Sequence, residues 1–173
     1  MASSYTATFS PQDVTIVISQ GDFSHIVSGF SEDSIVSVER NSDTFSLYTG
    51  ADDTNSRIYQ ANTSAMITLP LQQTSNSNDI MSQLYENDRA SRDSSGIFTL
   101  TVKDNSGRSV FFAEEAFIAV VPNASFGSTM QLREWQVQAV RLNATFGGNA
   151  RFSPEDASSF EQLGGVVEDK WRV

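Results

Sequence analysis

The sequence predicts a mainly β fold of sandwich or barrel type, with one flanking α-helix at about residues 78–90. Three observations carry this expectation. Short segments of alternating polarity recur between clusters of Gly, Asn, Asp and Ser, as in all-β sandwiches and barrels. In one place the apolar period changes from two to that of an amphipathic helix. A chain of 173 residues is long enough for a single core, burying about 70% of the surface its unfolded form exposes.

Strands are expected near 13–19, 23–28, 34–40, 44–49, 64–71, 97–103, 108–121 and 131–145. The clearest is the run in which Ala65, Ile67, Leu69 and Leu71 share one face while Met66, Thr68 and Pro70 take the other. A polar hinge, Gln72 to Ser77, follows and is rich in residues that bond their own backbone in turns. Then Ile80 with Leu84, and Met81 with Tyr85, form two i, i+4 pairs on one helical face. Ser77 or Asn78 is the expected N-cap, and Asp79 sits where the helix dipole favours an anion. Asp104-Asn105-Ser106-Gly107 is the strongest hairpin turn, with Gly107 available for positive φ. The longest alternation, from Leu132 to Phe146, mixes apolar and polar positions on both faces, which suits a strand partly covered by a neighbouring copy.

Two stretches lack periodicity. Residues 50–62 are polar and are expected to form a long loop. Residues 147–173 open with Gly147-Gly148 and hold a weak helix capped by Ser153, with Pro154 in its first position and Gly164-Gly165 at its end. The division that follows is a β domain of residues 1–147 and a C-terminal extension of residues 148–173. Two readings of the extension stand: a solvated terminus, or an arm that docks a neighbouring subunit through Phe160, Leu163 and Trp171.

Composition and residue types exclude much chemistry. Without cysteine there is no disulfide framework and no zinc–thiolate site. Acidic residues outnumber basic ones 21 to 11, for a formal charge of −10, against the lysine- and arginine-rich surfaces that grip phosphates. The start of the chain shows neither a basic region nor an apolar run, and no segment approaches the ~20 apolar residues that cross a bilayer, so a cytoplasmic, non-inserting protein is expected. The Asn-x-Ser/Thr triplets at Asn62, Asn123 and Asn143 are then chance matches. His25, the single histidine, lies in a strand and reads as a satisfied half-buried side chain. Glu114 and Glu115 are strand neighbours that should point to opposite faces, so they form no acid/base pair. Asp52-Asp53 lacks the ligand spacing of a calcium loop, and no phosphate-binding glycine loop occurs. Phe111, Phe112, Phe117 and Phe126 read as core or interface. No catalytic residue, cofactor or metal is expected.

The passage Ile67-Thr68-Leu69-Pro70-Leu71-Gln72-Gln73-Thr74-Ser75, followed by Asn78-Asp79-Ile80 and Leu84, resembles the strand-to-helix passage of bacteriophage tail tube proteins. The resemblance extends to Asp13–Ile18 with Gly21, an opening hairpin, and to Ser37–Gly50, a second hairpin followed by a long loop. It also takes in Val102–Gly107, the Phe-rich strand, Pro122 and the Glu134-Trp135 strand, so that it covers roughly residues 12–147.

The resemblance implies a structural virion protein of a long, contractile tail. Its hexameric rings would stack so that inner sheets close a continuous barrel, a conduit for genome ejection. Implied partners are further copies of the chain, the sheath if the tail contracts, and the tape measure, baseplate and tail terminator proteins. DNA would pass only in transit, and the protein would move from host cytoplasm to virion tail. Within this frame Asp52, Asp53, Asn55 and Arg57 are expected at inter-ring contacts. Glu39 and Asp43, taken to flank the turn of the second hairpin, are expected to face the lumen. Alternatives are the tube of a contractile secretion system and a carbohydrate-binding or adhesive β-sandwich.

Overall fold

The period-two pattern becomes the core of the protein. In the computed structural model, which describes residues 6–173, the chain forms ten strands and two α-helices. The strands are β1 (Val14–Gln20), β2 (Phe23–Ile26), β3 (Ser37–Arg40), β4 (Phe45–Thr49), β5 (Asn55–Tyr59), β6 (Ala65–Gln72), β7 (Phe98–Asp104), β8 (Val110–Val120), β9 (Leu132–Ala139) and β10 (Leu142–Thr145). The helices are α1 (Ser77–Ser91) and α2 (Pro154–Gln162). Eight strands form one antiparallel sheet in the order β2-β1-β7-β8-β9-β6-β3, with β10 paired to β8. β4 and β5 pair only with each other.

β8 is the strand on which the sheet turns. Its first half pairs with β7 and β10, and its second half with β9. Between Ala113 and Ala116 the register shifts, so Glu114 and Glu115 together oppose Thr99 of β7. Such a bulge bends a strand, so that β8 turns a corner here. Residues from both sides of that corner (Ile16, Leu100, Ile67, Val137) join one core cluster. The mainly β fold expected from sequence therefore takes the form of one bent eight-stranded antiparallel sheet, with β4 and β5 apart from it. The bulge also overturns the expectation that Glu114 and Glu115 alternate faces; both are exposed.

α1 closes the core. Met81 is fully buried, Leu84 nearly so, and Ile80 and Tyr85 pack beside them, as the i, i+4 pairs predicted. The expected capping does not occur. The N-cap is Asn76, which makes no side-chain cap bond, and the two expected candidates that follow it, Ser77 and Asn78, are engaged elsewhere. Buried Ser77 accepts from the Ser28 N–H (3.1 Å) and bonds His25 Nε2 (2.9 Å). Asn78 donates to the carbonyls of Gln72 (2.8 Å) and Ser75 (3.1 Å) and accepts from Trp135 Nε1 (2.9 Å). The polar hinge thus fastens the helix to β6 and β9. Where β2 leaves the sheet, Gly29 passes Ser75 so closely, at φ +76°, that a Cβ would lie 2.6 Å from the Ser75 Cβ.

Three further expectations change. The run 131–145 is two strands, because the chain turns at Val140-Arg141 so that β10 can pair with β8 instead of continuing beside β6. Residues 37–50 are no hairpin: β3 pairs with β6, and β4 with β5. Gly107 has no positive φ; its lack of a side chain is needed because a Cβ would stand 2.7 Å from Asn149 Oδ1.

Candidate assembly surfaces

Residues 50–62, expected as a loop, contain the turn and second strand of a hairpin. β4 and β5 are joined by residues 50–54, where Asp53 adopts φ 64° and the Asp52 carboxylate accepts from the Thr54 N–H at 3.2 Å. Hydrogen bonds from Thr54, side chain first and then backbone, hold the Asp52 carboxyl below its ordinary pKa. Register puts Phe45 opposite Tyr59 and Leu47 opposite Arg57 on one face, with Tyr48 and Ile58 on the other. The Phe45 and Tyr59 rings are 5.6 Å apart, and the Arg57 guanidinium lies 3.6 Å above the Phe45 ring, a cation–π contact. Neither face is covered: Leu47 on one is 73% exposed and Tyr48 on the other 61%. Exposed apolar surface concentrated on one projecting element marks an interaction site. Asp52 and Asp53 therefore sit at the tip of this hairpin, and Asn55 and Arg57 on its returning strand.

The second surface is the face of the sheet turned away from the core. Val38, Ile67, Val137 and Ile118 are neighbours on the apolar side. One residue along, Glu39, Met66, Gln138 and Phe117 form the matching row on the opposite face. Thr68 beside Gln136, and Val17 beside Thr101, continue it. This face is largely uncharged, mixing polar Thr68, Thr101, Gln136 and Gln138 with apolar Val17, Met66 and Phe117, and Glu39 lies on it in the edge strand β3. Asp43 is not on the sheet; it is exposed in the connection to β4. β2 and β3 each leave one hydrogen-bonding edge free among the described strands.

The third surface is made by the C-terminal extension, which folds back on its own chain. Ser153 caps α2 by accepting from the Asp156 N–H at 3.1 Å, as its sequence predicts. Phe152 pairs with Arg172 in a parallel bridge, and Arg172 also bonds Glu161. Arg108, just past the β7–β8 turn, lies between the Phe152 ring (4.4 Å) and the Trp171 ring (4.6 Å) and donates to the Ala150 carbonyl at 2.8 Å. Burial lowers its pKa but leaves a guanidinium charged. Asn149 donates to Asp104 Oδ2 (3.0 Å) and to Ser106 Oγ (2.9 Å). Burial of Asp104 opposes its charge, yet hydrogen bonds from Ser106 and Asn149 outweigh it and hold the carboxyl below its ordinary pKa. Trp171 is thus engaged within its own chain and Phe160 stacks on Phe152 at 5.4 Å, whereas Leu163 is 88% exposed. A cleft of about 530 Å³ opens between the extension and the β7–β8–β10 end of the sheet.

Sequence reasoning missed the apolar character of the hairpin, although Phe45, Leu47, Tyr48, Ile58 and Tyr59 around a short acidic turn were the available signal. It also missed Arg108, whose partners lie over forty residues away in the chain. Phe126, expected as core or interface, is 79% exposed with Arg133 over its ring at 5.2 Å. His25 is half-buried and paired with Ser77, as expected. Among the described residues, no group of three or more His, Cys, Asp or Glu could hold a metal ion, and no helix is long and apolar enough to cross a membrane.

A mainly β subunit whose exposed features are a sheet face, free strand edges and an apolar hairpin belongs to the class of structural assembly proteins. The comparisons make the class specific. Residues 6–147 match the model of the bacteriophage PhiTE tail tube protein family, and the chain belongs to that family. It is 45% identical to structural protein ORF10 of Pseudomonas phage KPP10 over 168 residues, covering 96% of this chain and 97% of that protein. Among solved structures, the tube-terminating cap of the anti-feeding prophage shares the fold, with a TM-score of 0.51 at 11% identity over 84% of this chain and 94% of that one. The SPP1 tail tube protein aligns over 93% of this chain and 88% of its own, with a TM-score of 0.47 and 14% identity. The protein is therefore a structural component of a phage tail, of a family that is not enzymatic.

Proposed function

We propose that the chain is the tail tube subunit whose hexameric rings stack into the conduit for genome ejection. The observation that carries this reading is the sheet with a largely uncharged second face and two free edges. An edge strand is a template for pairing, and closing a ring of identical subunits removes every such edge. The second face, with Glu39 on it, then lines the lumen, and Asp43 lies at its margin. With few positive charges to hold phosphates, that wall lets DNA slide. The β4–β5 hairpin, bearing Asp52, Asp53, Asn55 and Arg57, reaches from one ring to the next. Residues 1–147 are the tube domain and residues 148–173 an extension whose exposed Leu163 is available to a neighbour. The sheath of a contractile tail, the tape measure, the baseplate and the terminator are the further partners, met as the protein passes from host cytoplasm to virion. Kinship with a phage structural protein at 45% identity favours a phage over a secretion system.

Sedimentation and electron microscopy of the purified protein test the reading. Rings or tubes that grow with concentration are expected. A monomer at every accessible concentration, with and without an initiating tail-tip complex, overturns it.

A further inference from the structure

We infer that the cleft between the C-terminal extension and the β7–β8–β10 end of the sheet is the receptor for the β4–β5 hairpin of a second copy of this chain. The inference rests on the proposed stacking of rings and specifies its contact. Charge is the first support. In a chain of formal charge −10 with two lysines, both lysines line this one cleft. Lys103 and Lys170 stand with Arg108 against a single acid, Glu168. The hairpin tip carries the opposite sign, with Asp52 and Asp53 exposed and Asp52 kept ionised by its turn. Polarity is the second. Behind its cations the cleft is walled by Val110, Phe146, Phe152 and Val166, and Phe146 and Val166 are 81% and 86% exposed. The hairpin presents the matching Phe45, Leu47 and Tyr59 on one face. An apolar centre ringed by complementary charge is the anatomy of a specific contact, with the charges setting register.

The placement gives the extension a task. By holding Phe152 and Trp171 against Arg108, it builds one wall of the cleft out of residues beyond the matched tube domain. A chain cut after residue 147 loses that wall and Lys170 with it.

The absence of cysteine makes a direct test possible. Subunits carrying Asp53→Cys are mixed with subunits carrying Lys170→Cys, allowed to assemble and oxidised. Disulfide-linked heterodimers are expected, and few when the second subunit carries Asp22→Cys instead. In parallel, Lys103→Glu with Lys170→Glu should reduce tube yield on the order of tenfold, and Asp52→Lys with Asp53→Lys in the same chain should restore it. Far-ultraviolet circular dichroism confirms that each variant folds. If wild-type protein forms no stacked tubes, the proposed function fails. If tubes form, deleting residues 45–59 abolishes them, and neither crosslinking nor charge reversal distinguishes the cleft, the receptor assignment alone is wrong.

Discussion

Replacing Arg108 with methionine isolates how strongly the extension is held. The native guanidinium contributes two cation–π contacts, to Phe152 and Trp171, and one hydrogen bond to the Ala150 carbonyl. Each contact is worth about 0.5–1 kcal/mol at a half-exposed site, and a charged hydrogen bond about 1.5–3 kcal/mol. Methionine keeps much of the apolar packing against the two rings. The net weakening of the docked extension should then be about 2 kcal/mol, a roughly 30-fold rise in its opening equilibrium. Amide hydrogen exchange reads this directly. The Phe152 N–H, bonded to the Trp171 carbonyl at 2.7 Å, should exchange faster by that factor. Amides of β6 and β9 exchange on global unfolding, which loses the same contacts, so they should speed by the same factor while remaining better protected than Phe152. Equal protection of Phe152 in both proteins refutes the idea that Arg108 is the clasp, and protection of Phe152 as high as that of β6 and β9 refutes the idea that the extension opens separately.

Three further outcomes are expected. Gly29→Ala combines positive φ with a Cβ 2.6 Å from Ser75 and should destabilise the protein by about 2 kcal/mol or more, read as a lower urea midpoint at unchanged slope. Asn78→Ala leaves the buried Trp135 N–H unpaired and releases two backbone carbonyls, costing about 1–3 kcal/mol; a shift in Trp135 fluorescence before global unfolding checks it. Because the folded Asp104 pKa is depressed, its stabilising effect is present above the ordinary value of 3.8 and is lost as pH falls through the folded value. Acid should accordingly loosen the Asn149 tie and raise exchange in the extension below that pH, and Asp104→Asn should remove the step.

How much the sequence told depended on how local the cause was. Ala65, Ile67, Leu69 and Leu71 show their buried face in their own spacing, and so do Ile80, Met81 and Leu84 of α1, because each element faces one core. The Ser153 cap and Pro154 start of α2 are likewise local. β4 was legible, but β5 and its pairing with β4 were hidden because neither face of the hairpin is buried in the subunit, so no alternation of apolar with polar residues is enforced on it. Ser77 and Asn78 were misread as caps because His25 and Trp135, their actual partners, are 52 and 57 residues away. Arg108 has no sequence signature at all; its meaning arises only when the extension returns to it.

The bulge in β8 has a consequence for how this sequence can change over time. Side chains on either side of Glu114-Glu115 are phased independently, one half of the strand to β7 and β10, the other to β9. Deleting a single residue there would erase the phase shift and exchange inside for outside along one entire half. Loss or gain in β8 is therefore tolerable only in steps that preserve parity. The exposed hairpin pairs with no strand of the sheet, so a change in its length leaves the inside–outside phase of the core untouched. Drift in this protein should accumulate as substitution, never as slippage, in the strand that joins the two halves.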